Sequence, residues 1–416
     1  MNVKSRTNPP LRVAIVGGGP AGTACALRLQ LLSTQLDRAV HVTIIEGKEF
    51  HQEQHYNQCV GVLSPPLPEL LTRDLNVDFP SFLVRSPITG YYLHTPGAEI
   101  ALLDEQPSMA LRRVQFDAYM LDMCRERHID IVNARAVDLE FHDQGVLIYT
   151  ENAPVPADVV VGAFGMDDGG ASLFSRLTDY TPPDALSSVV TKYHPDQTTM
   201  KAFGSQIHAF LPPDPRIEFA GITPKGNHLT INIAGQDVAS PLMNEFLAQP
   251  WVAKHLPNLG DAGRLNPGDL RFFKGRFPHA SAHHYYADRF VMVGDASGLV
   301  RSFKGKGVTT AVQTGIRAAD TILTQGITAR AFHAHFRKAN DDLIQDLPYG
   351  QLMRRITIWL SRTGLLSGII RGAQTEPALH TALFGAVAGV TPYREILKDA
   401  LKPRNLVAIL RSMRRG

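Results

Sequence analysis

An α/β fold is what this 416-residue sequence predicts: a parallel-sheet domain interrupted by a mostly antiparallel insertion and followed by a helical C-terminal region. Three observations carry that expectation. An apolar run, Val13-Ala14-Ile15-Val16, enters a glycine turn, Gly17-Gly18-Gly19-Pro20-Ala21-Gly22, and a helical pattern follows. A second apolar run, Phe290-Val291-Met292-Val293, ends in Gly294-Asp295 about 270 residues later, again ahead of glycines and a helix. From about 181 to 279 the texture changes to strand-like alternation.

The first turn has the G-x-G-x-x-G spacing at Gly17, Gly19 and Gly22. The first glycine permits the tight turn, the second lets the backbone approach a pyrophosphate, and the third lets the helix pack closely on the strand. The free N–H groups of the helix start then face phosphate negative charge. A helix from Ala21 to about Leu36 leads to a second strand, His41 to Ile45, ending in Glu46-Gly47. Glu46 lies 24 residues after Gly22, where an acidic side chain accepts hydrogen bonds from a ribose diol. This half of the chain therefore reads as a Rossmann-like nucleotide-binding domain.

Tyr56-Asn57-Gln58-Cys59-Val60-Gly61 suits a loop lying close to something flat, with a buried structural cysteine as the even alternative, and a Pro-rich, weakly periodic stretch runs on to about 98. Leu111 to Asp117 opens a helix through about Arg127. Strands are expected at Ile129–Val132, Val146–Tyr149 and Val159–Val161, the last breaking into Gly162-Ala163-Phe164-Gly165. In the insertion, strands are expected at Ser187–Tyr193, Gln206–Leu211, Arg216–Ile222 and His228–Ile233. The last two flank a hairpin link, Pro224-Lys225-Gly226-Asn227. A helical patch, Met243–His255, and a strand, Leu270–Phe273, complete it. Asp295, at a strand tip, can bond a sugar or ribityl hydroxyl, and Gly305 and Gly307 precede a helix from Val308 to about Thr324. Next come an amphipathic helix, Ala331–Leu347, that stops at Pro348, and further helical segments. The domain boundaries expected are 1–62, 100–180 and 280–330 for the nucleotide-binding domain, 63–99 and 181–279 for a substrate domain, and 331–416 for the helical region.

Composition narrows the classes. The chain is 44% apolar and 19% charged, which excludes disorder. Cys25, Cys59 and Cys124 form no zinc spacing, and His333 and His335 sit at i, i+2, off a common helix face, so no metal site is expected and a reducing, cytoplasmic setting is. The first ten residues lack a signal peptide's apolar core, and no uncharged apolar run is long enough to span a membrane. Residues 351–416 carry eleven Lys and Arg against three Asp and Glu, a net of +8. The whole chain is only +3, which leaves −5 for the remainder. This basic region reads as a helical cap, as an interfacial helix on anionic lipid, or as both. It lacks interleaved aromatics and the body is acidic, so nucleic acid is not an expected partner.

In this order the motifs resemble the FAD-dependent oxidoreductases built like aromatic hydroxylases, most closely the geranylgeranyl reductase family, over roughly residues 11–325. The marks are the first glycine turn with Glu46, Arg113-x-x-Phe116-Asp117, Val161-Gly162-Ala163 and, most specifically, Gly294-Asp295-Ala296-Ser297-Gly298 followed by Gly305-Lys306-Gly307. Hydroxylases usually have histidine where this chain has Gly298; the reductases have glycine. The resemblance implies FAD held by Gly17, Gly19, Pro20, Ala21, Gly22, Glu46, Gly47, Arg113, Ala136, Gly162, Asp295, Gly305, Lys306, Gly307 and Val308. Three positions depart from the reductase pattern. Cys59-Val60-Gly61 replaces Cys-Gly-Gly, Phe164 stands where relatives have Asp, and Lys306 stands where they have Glu. Lys304 and Lys306 at a helix N-terminus would favour an anionic reduced flavin; as loop charges facing solvent they would do nothing.

The activity implied is reduction of carbon–carbon double bonds in a prenyl chain on a hydrophobic, lipid-borne substrate held in an apolar tunnel. Cys59 and Tyr56 are the candidate proton sources, and NAD(P)H or a reduced ferredoxin is the expected donor. The basic C-terminus would rest on the inner face of the membrane. One alternative is a flavin monooxygenase acting on a small aromatic or polycyclic substrate. Gly298 and the Cys59 loop weigh against it, and Trp251 and Trp359 give no halogenase Trp-x-Trp-x-x-Pro element. The other is a non-catalytic flavin-binding protein that acts through its basic C-terminus.

Overall fold

In a computed structural model, residues 9–50, 59–256, 270–301, 306–389 and 391–403 are described, with 405, 407, 409 and 411 beyond them. The expected α/β architecture is present. Five parallel strands lie in the spatial order Phe290–Met292, Val159–Gly162, Leu11–Val16, Val40–Ile45 and Asp130–Val132, and Tyr286–Ala287 adds an antiparallel edge. Val13 to Val16 and Val159 to Gly162 are fully buried, because helices cover one face of this sheet and a second apolar cluster the other. The carboxyl ends stay in step: Gly17 N–H donates to Ile45 O at 2.9 Å, Ala163 N–H to Val16 O at 2.8 Å and Val293 N–H to Gly162 O at 2.9 Å. Gly17, Glu46, Gly162 and Gly294 therefore come to one edge, the edge where open parallel sheets bind ligands.

Helix Pro20–Leu36 starts with proline at its first position, where a missing N–H costs nothing. It packs on helix Gly307–Thr324 at unusually short range. A Cβ at Gly315 would lie 2.3 Å from Ala21 O and 3.1 Å from Cys25 N, so only glycine admits the approach.

The second layer is an eight-stranded sheet, in the order Phe273–Pro278, Ala185–Tyr193, His228–Gly235, Phe219–Lys225, Ile207–Phe210, Val84–Thr95, Ala98–Leu111 and Val62–Leu63. Its pairs are antiparallel except Ile207–Phe210 with Val84–Thr95. The Lys225–His228 hairpin is found as expected. Helix Ser240–Leu247 covers one face through Leu242, Met243 and Phe246. A three-stranded sheet, Ala136–His142, Gly145–Thr150 and Val155–Ala157, stands against the parallel sheet.

Several local expectations are corrected. The Pro-rich stretch read as weakly periodic before residue 98 holds helix Leu67–Leu75 and strand Val84–Thr95; Leu67, Leu70, Leu71 and Leu75 are the helix's buried, helically spaced face. Ala98–Leu111 runs in the eight-stranded sheet, so residues 100–111 sit apart from the parallel sheet to which the sequence reading gave them. The strand expected at Leu270–Phe273 begins only at Phe273 and runs to Pro278. The helical patch 243–255 is two helices, Ser240–Leu247 and Pro250–Ala253, parted at Gln249 before a proline. Helix Asp341–Arg362 does not stop at Pro348 but passes through it. An interior proline costs about 3 kcal/mol, and tertiary anchoring offsets it: Leu343 and Leu347 are buried, and Arg354 makes a two-pronged pair with the buried Glu218. Helices Leu365–Ala373 and Pro377–Ala388 lie over Tyr91, Leu93, Ile100 and Leu102 through Leu366, Ile370, Leu379 and Ala388. The cap expected of the C-terminal region is thus seen.

Replacing Gly315 by Leu is expected to destabilise the protein by about 1–3 kcal/mol, read as a lower urea midpoint with an unchanged slope. A midpoint equal to wild type would mean that the two helices do not touch at this point.

Candidate active site

The first turn has the geometry a pyrophosphate requires. Gly17 has φ of 112°, and a Cβ at Gly22 would meet Gly17 O at 2.0 Å, which closes the turn onto the helix. A Cβ on Gly19 would meet nothing within 4 Å, so the space beyond the helix start is open. Pro20 and Ala21 are buried behind it. Glu46 spans the turn from the neighbouring strand: its Oε2 accepts from Gly18 N–H at 2.8 Å and its Oε1 from Lys48 N–H at 2.8 Å. Each oxygen keeps a lone pair for a ribose hydroxyl. Burial pushes the Glu46 carboxyl above its ordinary range, and the two N–H groups pull it back. Gly47 backs onto Arg135, whose Cγ would lie 2.6 Å from a Cβ there, and Ala136 begins strand Ala136–His142 one residue on.

The second motif closes the other end. Gly294 N–H donates to Thr314 Oγ1 at 2.9 Å, Ser297 Oγ–H donates to Gly294 O at 2.7 Å, and Tyr180 O–H donates to Ala296 O at 2.8 Å. These bonds hold Asp295 at the rim. Burial raises its carboxyl to about 6, and Arg113 opposes that rise. Arg113 opens helix Arg113–Glu126 and pairs with the buried Asp117 at 2.8 Å. Its guanidinium lies within electrostatic reach of Asp117, Cys59 and Asp295. Gly307 and Val308 begin helix Gly307–Thr324, and a Cβ on Gly307 would stand 3.7 Å from Asp295 Oδ1. Lys306 precedes that helix, half-buried, with Nζ 3.4 Å from Pro65 O. Burial and then Arg301 bring its ammonium down to about 8.

Gly162 ends its strand against Met292, whose Sδ would lie 2.2 Å from a Cβ there. Phe164 joins an aromatic group with Phe174 and Tyr180, at 5.6 and 6.2 Å between centroids, so it serves packing. Cys59 is exposed, and its Sγ accepts from Gly61 N–H at 3.3 Å. Tyr56 and Gly305 lie outside the described residues.

Sequence reasoning missed a cationic cavity. It has a volume of about 960 Å³ and is lined by Arg85, Arg112, Lys192, Lys225, His228 and Arg271, among others. Lys225 is 3% exposed and borders the Cys59 loop: its Nζ would lie 2.9 Å from a Cβ on Gly61. Burial lowers Lys225 to about 8, with Cys59 pulling upward, and lowers His228 to about 3. The missed signal was a lysine at the end of Phe-Ala-Gly-Ile-Thr-Pro-Lys, a strand otherwise built to be buried.

These residues fit a flavin dinucleotide. Open space at the Gly19 helix start would take the pyrophosphate, Glu46 the ribose, and the Asp295 carboxyl the ribityl hydroxyls. The fold and site are those of a protein that binds FAD. Residues 14–167 match the FAD-NAD(P)-binding family. The chain is related to the geranylgeranyl reductases, sharing 24% identity with the chloroplastic geranylgeranyl diphosphate reductase of Nicotiana tabacum over 75% of this chain and 66% of that one. The digeranylgeranylglycerophospholipid reductase of Methanococcus vannielii is 21% identical (83% and 87% covered), and the Dictyostelium discoideum conditioned medium factor receptor 1 is also 21% identical (85% and 68%). The chain spans just under two thirds of the tobacco protein's length. Among solved structures, a geranylgeranyl bacteriochlorophyll reductase-like protein from Thermoplasma acidophilum shares the fold at a TM-score of 0.70 and 16% identity, covering 97% of this chain and 99% of its own. Halogenase PltM does so at 0.67 and 14%, covering 97% and 90%.

The raised carboxyl at Asp295 has a sign. The folded chain holds this proton up to about pH 6 whereas the unfolded carboxyl loses it near 3.8, so the stability of the FAD-free protein falls as pH rises through that window. Asp295→Asn should therefore stabilise the FAD-free protein at pH 7 by roughly 1–3 kcal/mol while weakening FAD binding. Thermal melts with and without FAD check this, and a variant destabilised in both states would contradict it.

Proposed function

We propose that this protein is an FAD-dependent oxidoreductase that reduces carbon–carbon double bonds of a prenyl chain that carries an anionic head group. The cationic cavity carries the reading: Arg112, Lys192, Lys225 and Arg271 converge where the eight-stranded sheet meets the Cys59 loop. A small neutral aromatic has no use for four cations; a phosphate ester does. The names of two relatives, geranylgeranyl diphosphate reductase and digeranylgeranylglycerophospholipid reductase, both contain such an ester. Val84, Leu270 and Phe273 supply the apolar wall beside the charges, a cationic mouth where a purely apolar tunnel was expected.

Bound FAD supplies hydride, and in this reading its electrons come from NAD(P)H or a reduced ferredoxin. The chain supplies placement and the proton. Lys225, at about 8, is charged at neutral pH, where it holds the anion. Cys59, which borders Lys225, is the thiol placed to return a proton to the second carbon.

The lipid-borne substrate goes with a peripheral membrane contact. Leu352, Ile356 and Trp359 are exposed at i, i+4 and i+7 on helix Asp341–Arg362, with exposed Arg355 and Arg362 on the same face. An apolar stripe containing Trp and flanked by Arg suits an anionic lipid surface. No helix of the described residues is long and apolar enough to cross a membrane.

Photoreduced protein incubated with geranylgeranyl diphosphate should give products heavier by two hydrogens per bond reduced. Rapid reoxidation by air with a hydroxylated aromatic product would move the assignment to a monooxygenase, and absence of turnover with every prenyl acceptor to a binding protein. Lys225→Met should raise KM at least about tenfold with a smaller change in kcat, and pyrophosphate inhibition of the native enzyme should fade as pH rises through about 8. Ile356→Glu with Trp359→Glu should abolish flotation with phosphatidylserine vesicles and leave the melting temperature within a degree or so of wild type. Flotation unchanged by these substitutions would refute the membrane contact.

A further inference from the structure

Away from the glycine turns, three imidazoles converge. His94 stands near the end of strand Val84–Thr95, His208 on the adjoining strand Ile207–Phe210, and His255 just after helix Pro250–Ala253. His94 and His208 are 2% and 8% exposed. The ring centroids lie 4.9 Å apart for His94 and His208, 4.4 Å for His94 and His255, and 4.9 Å for His208 and His255. One ring nitrogen of each lies within 4.8 Å of the other two. The tightest pair, His94 Nε2 and His208 Nδ1, is separated by 3.1 Å. Two imidazole nitrogens about 2.0–2.1 Å from one tetrahedral ion stand roughly 3.3 Å apart, so this pair is already at coordination spacing.

We propose that His94, His208 and His255 bind one divalent transition-metal ion, with zinc(II) the best fit. Three neutral nitrogen ligands and an open fourth position for water are a common zinc arrangement. The surroundings supply the outer shell: His94 Nδ1 lies 3.3 Å from Glu99 Oε2, and Lys254 Nζ lies 3.1 Å from the same oxygen. A carboxylate that accepts from Nδ1–H fixes the tautomer that turns the Nε2 lone pair toward the cluster. The alternative, an aromatic stack of neutral histidines with Phe203 and Phe210, explains the ring contacts. It leaves His255 Nε2 buried without a hydrogen-bond partner, and a metal ion would satisfy that atom.

The ion would join three chain segments whose ligands are separated by 114 and then 47 residues, spacings that no sequence motif records. The site also sits beneath the C-terminal cap, since Thr95 and Ser367 hydroxyls meet at 2.9 Å next to His94.

Full-length protein, stripped with a chelator and dialysed, is titrated with zinc chloride against a chromophoric competitor, with metal content and melting temperature as readouts. One zinc per chain and a raised melting temperature are expected. His255→Phe, at a half-exposed position, should abolish both. Glu99→Gln, an exposed change, should weaken affinity by about 10–100-fold with the fold intact. Cobalt(II) should give the strong visible absorption of a tetrahedral site in the native chain only. Zinc uptake equal in native protein and His255→Phe, or none in either, overturns the proposal in favour of the aromatic stack.

Discussion

The close approach of helices Pro20–Leu36 and Gly307–Thr324 is the constraint on which the site depends. A Cβ at Gly315 would strike the carbonyl of Ala21, and one at Gly294 would lie 2.8 Å from the Ala21 side chain. Small residues at these points bring the first glycine turn and the second together, although about 270 residues part them in sequence. Both helix N-termini then open on the same edge of the parallel sheet, and their unpaired N–H groups act on one ligand. A larger residue at any of these points moves Asp295 away from Arg113 before it alters any chemical group.

Burial of charge follows from that geometry. Asp295 and Glu46 sit with raised carboxyls, and Lys225 and Lys306 with lowered ammoniums. Each shift records desolvation that folding alone does not repay. Asp295 and Glu46 lie along the nucleotide edge with Lys306 beside them at the start of helix Gly307–Thr324, whereas Lys225 gathers with Arg112, Lys192 and Arg271 under the eight-stranded sheet. In the function proposed, charge buried in these two places suits two ligands of different chemistry, polyhydroxylated at the nucleotide edge and anionic in the cavity.

What the sequence revealed and what it concealed divide along physical lines. Gly17 to Gly22, Glu46 and Gly294-Asp295 were legible because each is a local solution, a few adjacent residues meeting one backbone requirement. Helix Leu67–Leu75 was hidden by flanking prolines, although its leucines keep helical spacing. Strand Ala98–Leu111 was hidden because exposed and buried positions alternate irregularly past a register shift between Ile88 and Gly90 on its partner. The cationic cavity and the three histidines could not be read at all. Their members come from strands, loops and a helix end that meet only in the folded protein, so no spacing carries them; the one clue was a lysine ending a strand otherwise built for the interior.

The C-terminal region shows how little composition alone decides. Its net +8 left a packed cap and a lipid-facing helix both open, yet Arg354 pairs with the buried Glu218 and Arg371 donates to the Gly97 carbonyl at 2.8 Å. Leu366, Ile370 and Leu379 cover the apolar side of the Val84–Thr95 hairpin. Removing residues 351–416 would strip a core face and leave Glu218 an unpaired buried carboxylate, so the truncated chain would bind lipid through exposed core whatever the native surface does. The outward stripe of Leu352, Ile356 and Trp359 is separable from the fold. The region is therefore first a structural layer, and any membrane role belongs to the residues that layer leaves uncovered.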